Sequence, residues 1–168
     1  MKSRVTYSGF SAVMTCVVAL LLGYAVFSID VTDSPVAFFI LAIAVILALG
    51  TSMWYTPLSV ELTDEEIYIN RSLSYSKRLP LVDIESVERC RPSIGLVRGR
   101  GAVRLCGSGG FLGYWGLFRE KNIGTYFAYF GKADECFLVT LKSGRKYVLG
   151  CQNPDQMVEA IQEKLEIK

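Results

Sequence analysis

Residues 136–168 read CFLVTLKSGRKYVLGCQNPDQMVEAIQEKLEIK, and the reading of this stretch decides the fold. CFLVTLK (136–142) and KYVLG (146–150) are short runs rich in aliphatic and aromatic residues, as strands are. KSGRK between them is a hairpin turn, because Gly144 tolerates a positive φ. A helix start follows: Asn153 can cap free backbone N–H groups, Pro154 suits the first helical position, and Asp155 suits the positive end of the dipole. Met157, Val158, Ile161 and Leu165 then share one stripe at helical spacing. The stretch therefore predicts a strand hairpin followed by a helix that lids a sheet.

Upstream as far as Pro57 the same strand grammar recurs. LSVEL (58–62), IYINR (67–71), LSYSKRL (73–79) and IESVERC (84–90) alternate apolar and polar residues, as half-buried strands do. AVRLCG (102–107) and GTYFAYF (124–130) complete a set of eight candidate strands joined by short links. TDEE (63–66) forms an acidic turn between the first two.

Ahead of Pro57 the composition changes. Gly9–Ile29 and Pro35–Tyr55 each run 21 residues without a charged side chain. A bilayer core of roughly 30 Å takes about 20 helical residues to cross, so both runs are long enough. The first is longer than the apolar region of a signal peptide and lacks a small-x-small cleavage site. VAFFILAIAVILALG in the second has no polar face, unlike an ordinary core helix. The short joint DVTDS makes the two an antiparallel hairpin, with Gly9, Gly23 and several alanines available for close approach. The chain divides into a two-helix transmembrane hairpin, 1–56, and a second domain, 57–168.

Lys2 and Arg4 precede the first run, the joint carries Asp30 and Asp33 but no base, and sixteen of the eighteen Lys and Arg follow the second run. The positive-inside rule then predicts a multi-pass protein of the cell inner membrane with both termini cytoplasmic. Cysteines in a cytoplasmic domain stay reduced, and the five here show no C-x-x-C spacing. They read as small buried hydrophobes. Histidine is absent, which removes the commonest general base and metal ligand. GSGG (107–110) lacks the Gly-Lys-Ser/Thr of a P-loop, and Ser93 and Ser108 have no histidine to activate them. The expectation is a non-enzymatic protein without a cofactor or metal.

AVRLCGSGGFLGYWGLFREKNIGTYFAYF, followed by FLVTLKSGRKYVLGCQNPDQMVEAI, resembles the bacterial pleckstrin-homology (PH)-like domain family. ELTDEEIYI and LPLVDIESVE resemble its early strands, so the likeness covers residues 57–168. The resemblance implies a mainly-β barrel of antiparallel strands with a C-terminal capping helix, often preceded by membrane helices, and it implies no catalytic activity. Phosphoinositide-binding relatives carry basic residues at the first hairpin. The acidic TDEE turn departs from that pattern and would repel a phosphate.

Basic charge gathers later, where Arg89–Lys121 holds seven basic residues against Glu120 alone. Only Thr56 and Pro57 separate the second apolar run from the first strand, a reach of roughly 3.3–3.6 Å per residue, so the domain must lie against the bilayer. Within this window GSGGFLGYWGLFREKNIG (107–124) sets six glycines among large apolar side chains. One reading makes it an interfacial tip, in which Phe111, Leu112, Tyr114 and Trp115 lie at headgroup depth while Arg98, Arg100, Arg104, Arg119 and Lys121 meet phosphates. The other makes it barrel core, with Phe118, Tyr126, Phe127, Tyr129 and Phe130 as filling and the glycines as bends. Both lead to a membrane-anchored, cytoplasm-facing binding, scaffold or regulatory module, with anionic lipid headgroups, a protein partner or a second copy as partners and no nucleic acid. The alternative is a structural subunit of an envelope or transport assembly that oligomerises through its hairpin.

Overall fold

The computed structural model describes residues 1–28, 35–93 and 101–166. Along them run β1 (Lys2–Arg4), α1 (Gly9–Phe27), α2 (Pro35–Tyr55), β2 (Pro57–Leu62), β3 (Glu66–Arg71), β4 (Lys77–Pro80), β5 (Ile84–Cys90), β6 (Val103–Gly110), β7 (Gly113–Glu120), β8 (Gly124–Phe130), β9 (Cys136–Leu141), β10 (Lys146–Gly150) and α3 (Pro154–Glu166). The strands form two sheets, in the orders β1-β2-β3-β4 and β5-β9-β10-β8-β7-β6. The sheets do not close into the expected barrel, and β8 and β10 pair in parallel where antiparallel neighbours were expected.

The middle strands of the mixed sheet, β9 and β10, are buried on both faces. Phe137, Val139 and Leu149 on one face meet Val60, Leu62, Ile67, Ile69 and Leu79 of the smaller sheet, together with Met157 and Ile161 of α3. Tyr114, Phe118, Tyr126, Phe130, Leu138 and Val148 cluster separately. Each side chain of this size contributes roughly 1.5–3 kcal/mol when fully buried, so the core resides in the strands. Burial on both faces also explains why Cys136–Val139 is a continuous buried run rather than an alternating one.

Three local expectations are corrected. Residues 73–79 are not one strand: the chain is extended only from Lys77, and 72–76 form a loop. Residues 113–120 are a strand in their own right. Lys2–Arg4, expected only as a charged flank, pairs antiparallel with Ser59–Glu61.

The last point ties the helices to the sheets. The strand before α1 pairs with the strand after α2, so both ends of the helix pair meet in one sheet. Beyond β1 the chain continues as a strap, with Val5 N–H donating to Leu58 O (2.9 Å), Gln152 N–H to Arg4 O (2.9 Å) and Ser8 N–H to Gly131 O (3.0 Å). Ser8 then caps α1, its Oγ accepting from Ser11 N–H at 3.1 Å. α1 and α2, of 19 and 21 residues, are each long and apolar enough to cross a membrane. Their side chains are exposed or half-buried, Ser11 and Ser52 being the buried residues within them. The expected close approach at glycine is not made, since a Cβ on Gly9 or Gly23 would meet nothing within 4 Å.

Candidate functional site

The glycine-rich stretch is a bent β-hairpin. Gly107 and Gly116 face each other across β6 and β7 with φ of +106° and +117°. A Cβ on Gly107 would lie 2.1 Å from Trp115 O, and one on Gly116 would lie 2.2 Å from Cys106 O. Only glycine on both strands lets the backbones pass this closely. A bulge between Arg104 and Cys106 adds to the bend. The hairpin folds over far enough that the Arg104 guanidinium comes within 3.5 Å of the Cβ position of Gly109.

The turn itself is Phe111–Leu112, between the paired Gly110 and Gly113. Leu112 has φ +51°, a left-handed conformation that costs an L-residue roughly 1–2 kcal/mol. Its surroundings offset that cost. Ser108 Oγ donates to Phe111 O (2.7 Å), and Leu112 N–H donates to Thr15 Oγ1 (3.0 Å). Ser11 Oγ donates to Gly110 O (2.6 Å) and accepts from Gly113 N–H (3.0 Å). The turn is thus latched onto the first two turns of α1, within about 9 Å of the helix start at 1.5 Å per residue.

This geometry sorts the residues expected to face lipid. Phe111 and Leu112 sit half-buried at the turn beside α1. Arg104, exposed, reaches along its own strand to Gly109. Trp115 is half-buried, stacked on Tyr55 of α2 with ring centroids 5.3 Å apart. Tyr114 is corrected to core: it is 4 % exposed and stacks on Phe130 at 5.1 Å, because β7 alternation turns it to the face opposite Trp115. Arg119 and Lys121 are exposed but stand at the far end of β7 from the turn, so they do not join the cluster. Arg98 and Arg100 lie outside the described residues. Two more bases of the window are engaged within the fold, Arg89 with Asp155 (2.7 Å) and Arg91 with Asp134 (2.6 Å). Of the expected barrel filling, Phe118, Tyr126, Tyr129 and Phe130 are buried and Phe127 is not. The stretch therefore divides: its strands supply core, as the second reading expects, and its turn stands beside α1.

The surroundings of the turn disfavour charge. Burial pushes the Tyr7 hydroxyl, which donates to Pro57 O, up to about 12, and it raises Tyr114 as well. Among the cysteines, Cys136 and Cys151 are buried as expected, whereas Cys16 and Cys106 are exposed.

Ser11 and Thr15 escaped the sequence reading. Their signal was a polar pair at i, i+4 near the start of an apolar run, with Ser8 on the same stripe. Such a pair in a membrane-length helix calls for a partner.

Two membrane-length apolar helices whose ends are sewn into a two-sheet domain with a closing helix define a PH-like binding or scaffold module with candidate membrane spans. The chain belongs to the bacterial PH domain family, whose profile matches residues 58–165. No curated protein and no solved structure matches it. β1 and the helix pair lie outside the matched region.

Proposed function

We propose that this chain is a multi-pass inner-membrane protein whose PH-like domain faces the cytoplasm and works by binding, without catalysis. α1 and α2 cross the bilayer, and the domain engages anionic lipid headgroups beside them while leaving its remaining surface to a protein partner. The observation that carries this reading is the latch. The Phe111–Leu112 turn is hydrogen-bonded to Ser11 and Thr15, inside a helix with no charged residue and a largely exposed apolar surface. A domain held there has its turn at the edge of the bilayer, within about 9 Å of where α1 begins, whenever α1 spans. The excess of Lys and Arg after α2 supports a cytoplasmic domain. The absence of histidine supports a role without general-base chemistry.

Topology is testable with a membrane-impermeant thiol reagent on intact cells, with Cys16 and Cys106 first replaced by Ser. Asp30→Cys is expected to label in intact cells and Lys168→Cys only after lysis. Labelling of both positions on the same side would overturn the reading.

A further inference from the structure

The loop between β3 and β4 has no role in the core, yet its composition is unusual for a water-facing turn. Residues 71–79 read RSLSYSKRL, with three bases and no acid. Leu73 is 56 % exposed and Tyr75 is 91 % exposed, the highest value for a large apolar side chain outside α1 and α2 among the described residues. The flanking strands are unremarkable: Ile67, Ile69 and Leu79 are buried. An isolated exposed leucine is ordinary; the position of this loop is not.

It sits at the exit of α2. Ser72 N–H donates to Thr56 O at 3.0 Å, one residue past the end of that helix. The Arg71 guanidinium lies 5.7 Å from the ring centroid of Tyr55, the last residue of α2. Arg71 pairs in register with Pro57, where β2 begins, while the acidic Thr63–Glu66 turn lies at the other end of the same hairpin, about 16–20 Å away at strand spacing. The loop is also shaped. Arg71 Nε and Nη2 both donate to Tyr75 O (3.2 and 2.6 Å), and Ser76 Oγ donates to Asn70 Oδ1 (2.5 Å). Among the described residues Arg71, Lys77 and Arg78 form no ion pair.

We propose that Ser72–Ser76 is a second lipid-facing element, which places Leu73 and Tyr75 in the headgroup region of an anionic bilayer with Lys77 and Arg71 against its phosphates. The proposal rests on the reading of α1 and α2 as membrane spans and extends it. The Phe111–Leu112 turn is latched to α1 and this loop is bonded to the end of α2, so the domain would meet the membrane at two points, one at each helix. Two points of contact beside a fixed anchor set the tilt of the domain. The charge pattern identifies the occupant as an anionic surface: aromatic and aliphatic tips flanked by unpaired bases fit headgroups, and the acidic end of the same hairpin points away from them.

The test uses the full chain reconstituted into vesicles of phosphatidylcholine with or without phosphatidylglycerol, with Cys16 and Cys106 replaced by Ser. An environment-sensitive fluorophore is placed singly at Leu20→Cys in α1, at Tyr75→Cys and at Glu65→Cys in the acidic turn, and brominated lipid is added as quencher. Quenching of about twofold at residues 20 and 75 with none at residue 65 is expected, as for side chains at or below the headgroup boundary. Lys77→Glu should reduce quenching at residue 75 in the anionic vesicles only. Quenching at residue 20 without quenching at residue 75 would overturn the loop proposal while leaving the anchor intact. No quenching at residue 20 would overturn the anchor and the proposal together. Equal quenching at residue 75 in both vesicle types, unaffected by Lys77→Glu, would overturn the anionic contact.

Discussion

Two hairpins of the same sheet are built by different rules. The β9–β10 pair keeps an unbroken register from Lys146↔Thr140 to Gly150↔Cys136. Its turn uses one positive-φ glycine, Gly144, around which a Cβ would meet nothing within 4 Å. The β6–β7 pair carries a bulge, four positive-φ glycines, a left-handed leucine and a latch onto α1. The first is a local object, specified by strand propensity and a turn residue. The second takes its shape from what it touches, and its glycines are there because backbone meets backbone.

That contrast can be broken most severely at Gly116. In Gly116→Val the Cβ would collide with Cys106 O and the Gly107 backbone, neither of which can swing aside as a side chain can. A loss of about 4 kcal/mol is expected, seen as a fall of about 10 °C in the melting temperature of the full chain in detergent. An unchanged melting temperature would show that the bend is dispensable. Ser11→Ala comes next. It strips the buried partners from Gly110 O and Gly113 N–H and should cost about 2–3 kcal/mol by the same assay. A loss no greater than that of a surface substitution would mean the latch is incidental.

The equivalent change in the plain hairpin should be mild. Gly144→Ala meets only the strain of its φ of +77°, about 1 kcal/mol, and should leave register and oligomeric state untouched. If it matches Gly116→Val, the distinction between the hairpins fails.

Seven strands, two apolar helices and the capping helix were legible because each rests on a local pattern, as at Met157, Val158 and Ile161 in α3, whereas the strand expected at 73–79 begins only at Lys77. The strand at 113–120 was not. Its glycines at 113 and 116 lower β-propensity, and what restores the strand is pairing with β6 and β8, which are distant information at that point of the chain. β1 was hidden for the same reason, since three residues hold no period and their partner lies beyond both helices. For the candidate site, Phe111 and Leu112 could be singled out by composition. Tyr114 could not be separated from them until alternation was fixed by the turn, and Ser11 and Thr15 read as polar blemishes until the turn was seen bonded to them.

The smallest effects are chemical rather than structural. Cys106 in the bent hairpin is exposed and Cys136 in the straight one is buried, so a thiol reagent at neutral pH should modify Cys106 first, as peptide mass mapping would reveal. Equal modification would mean that the sheet opens. Opposite Cys136 in register stands Cys90, whose thiol burial pushes up to about 12 from an ordinary 9.0. The folded chain keeps a proton there that the unfolded chain releases, so this contribution is complete below pH 9 and is lost as pH climbs toward 12. Melting temperature should fall across that window, and Cys90→Ala should shallow the fall. An identical slope in the variant would assign alkaline sensitivity elsewhere.

The pairing of β1 with β2 has one further consequence for how such a protein is made. The two halves of that ladder are synthesised on either side of the helices, so the ladder can zip only after both helices have been made and, if they span as proposed, only if both flanks emerge in the same compartment. A chain threaded with its first helix reversed would leave the β2 edge bare, and an open strand edge is a recognised target for misassociation. On the proposed topology, completion of the small sheet would report that both helices have been inserted the right way round.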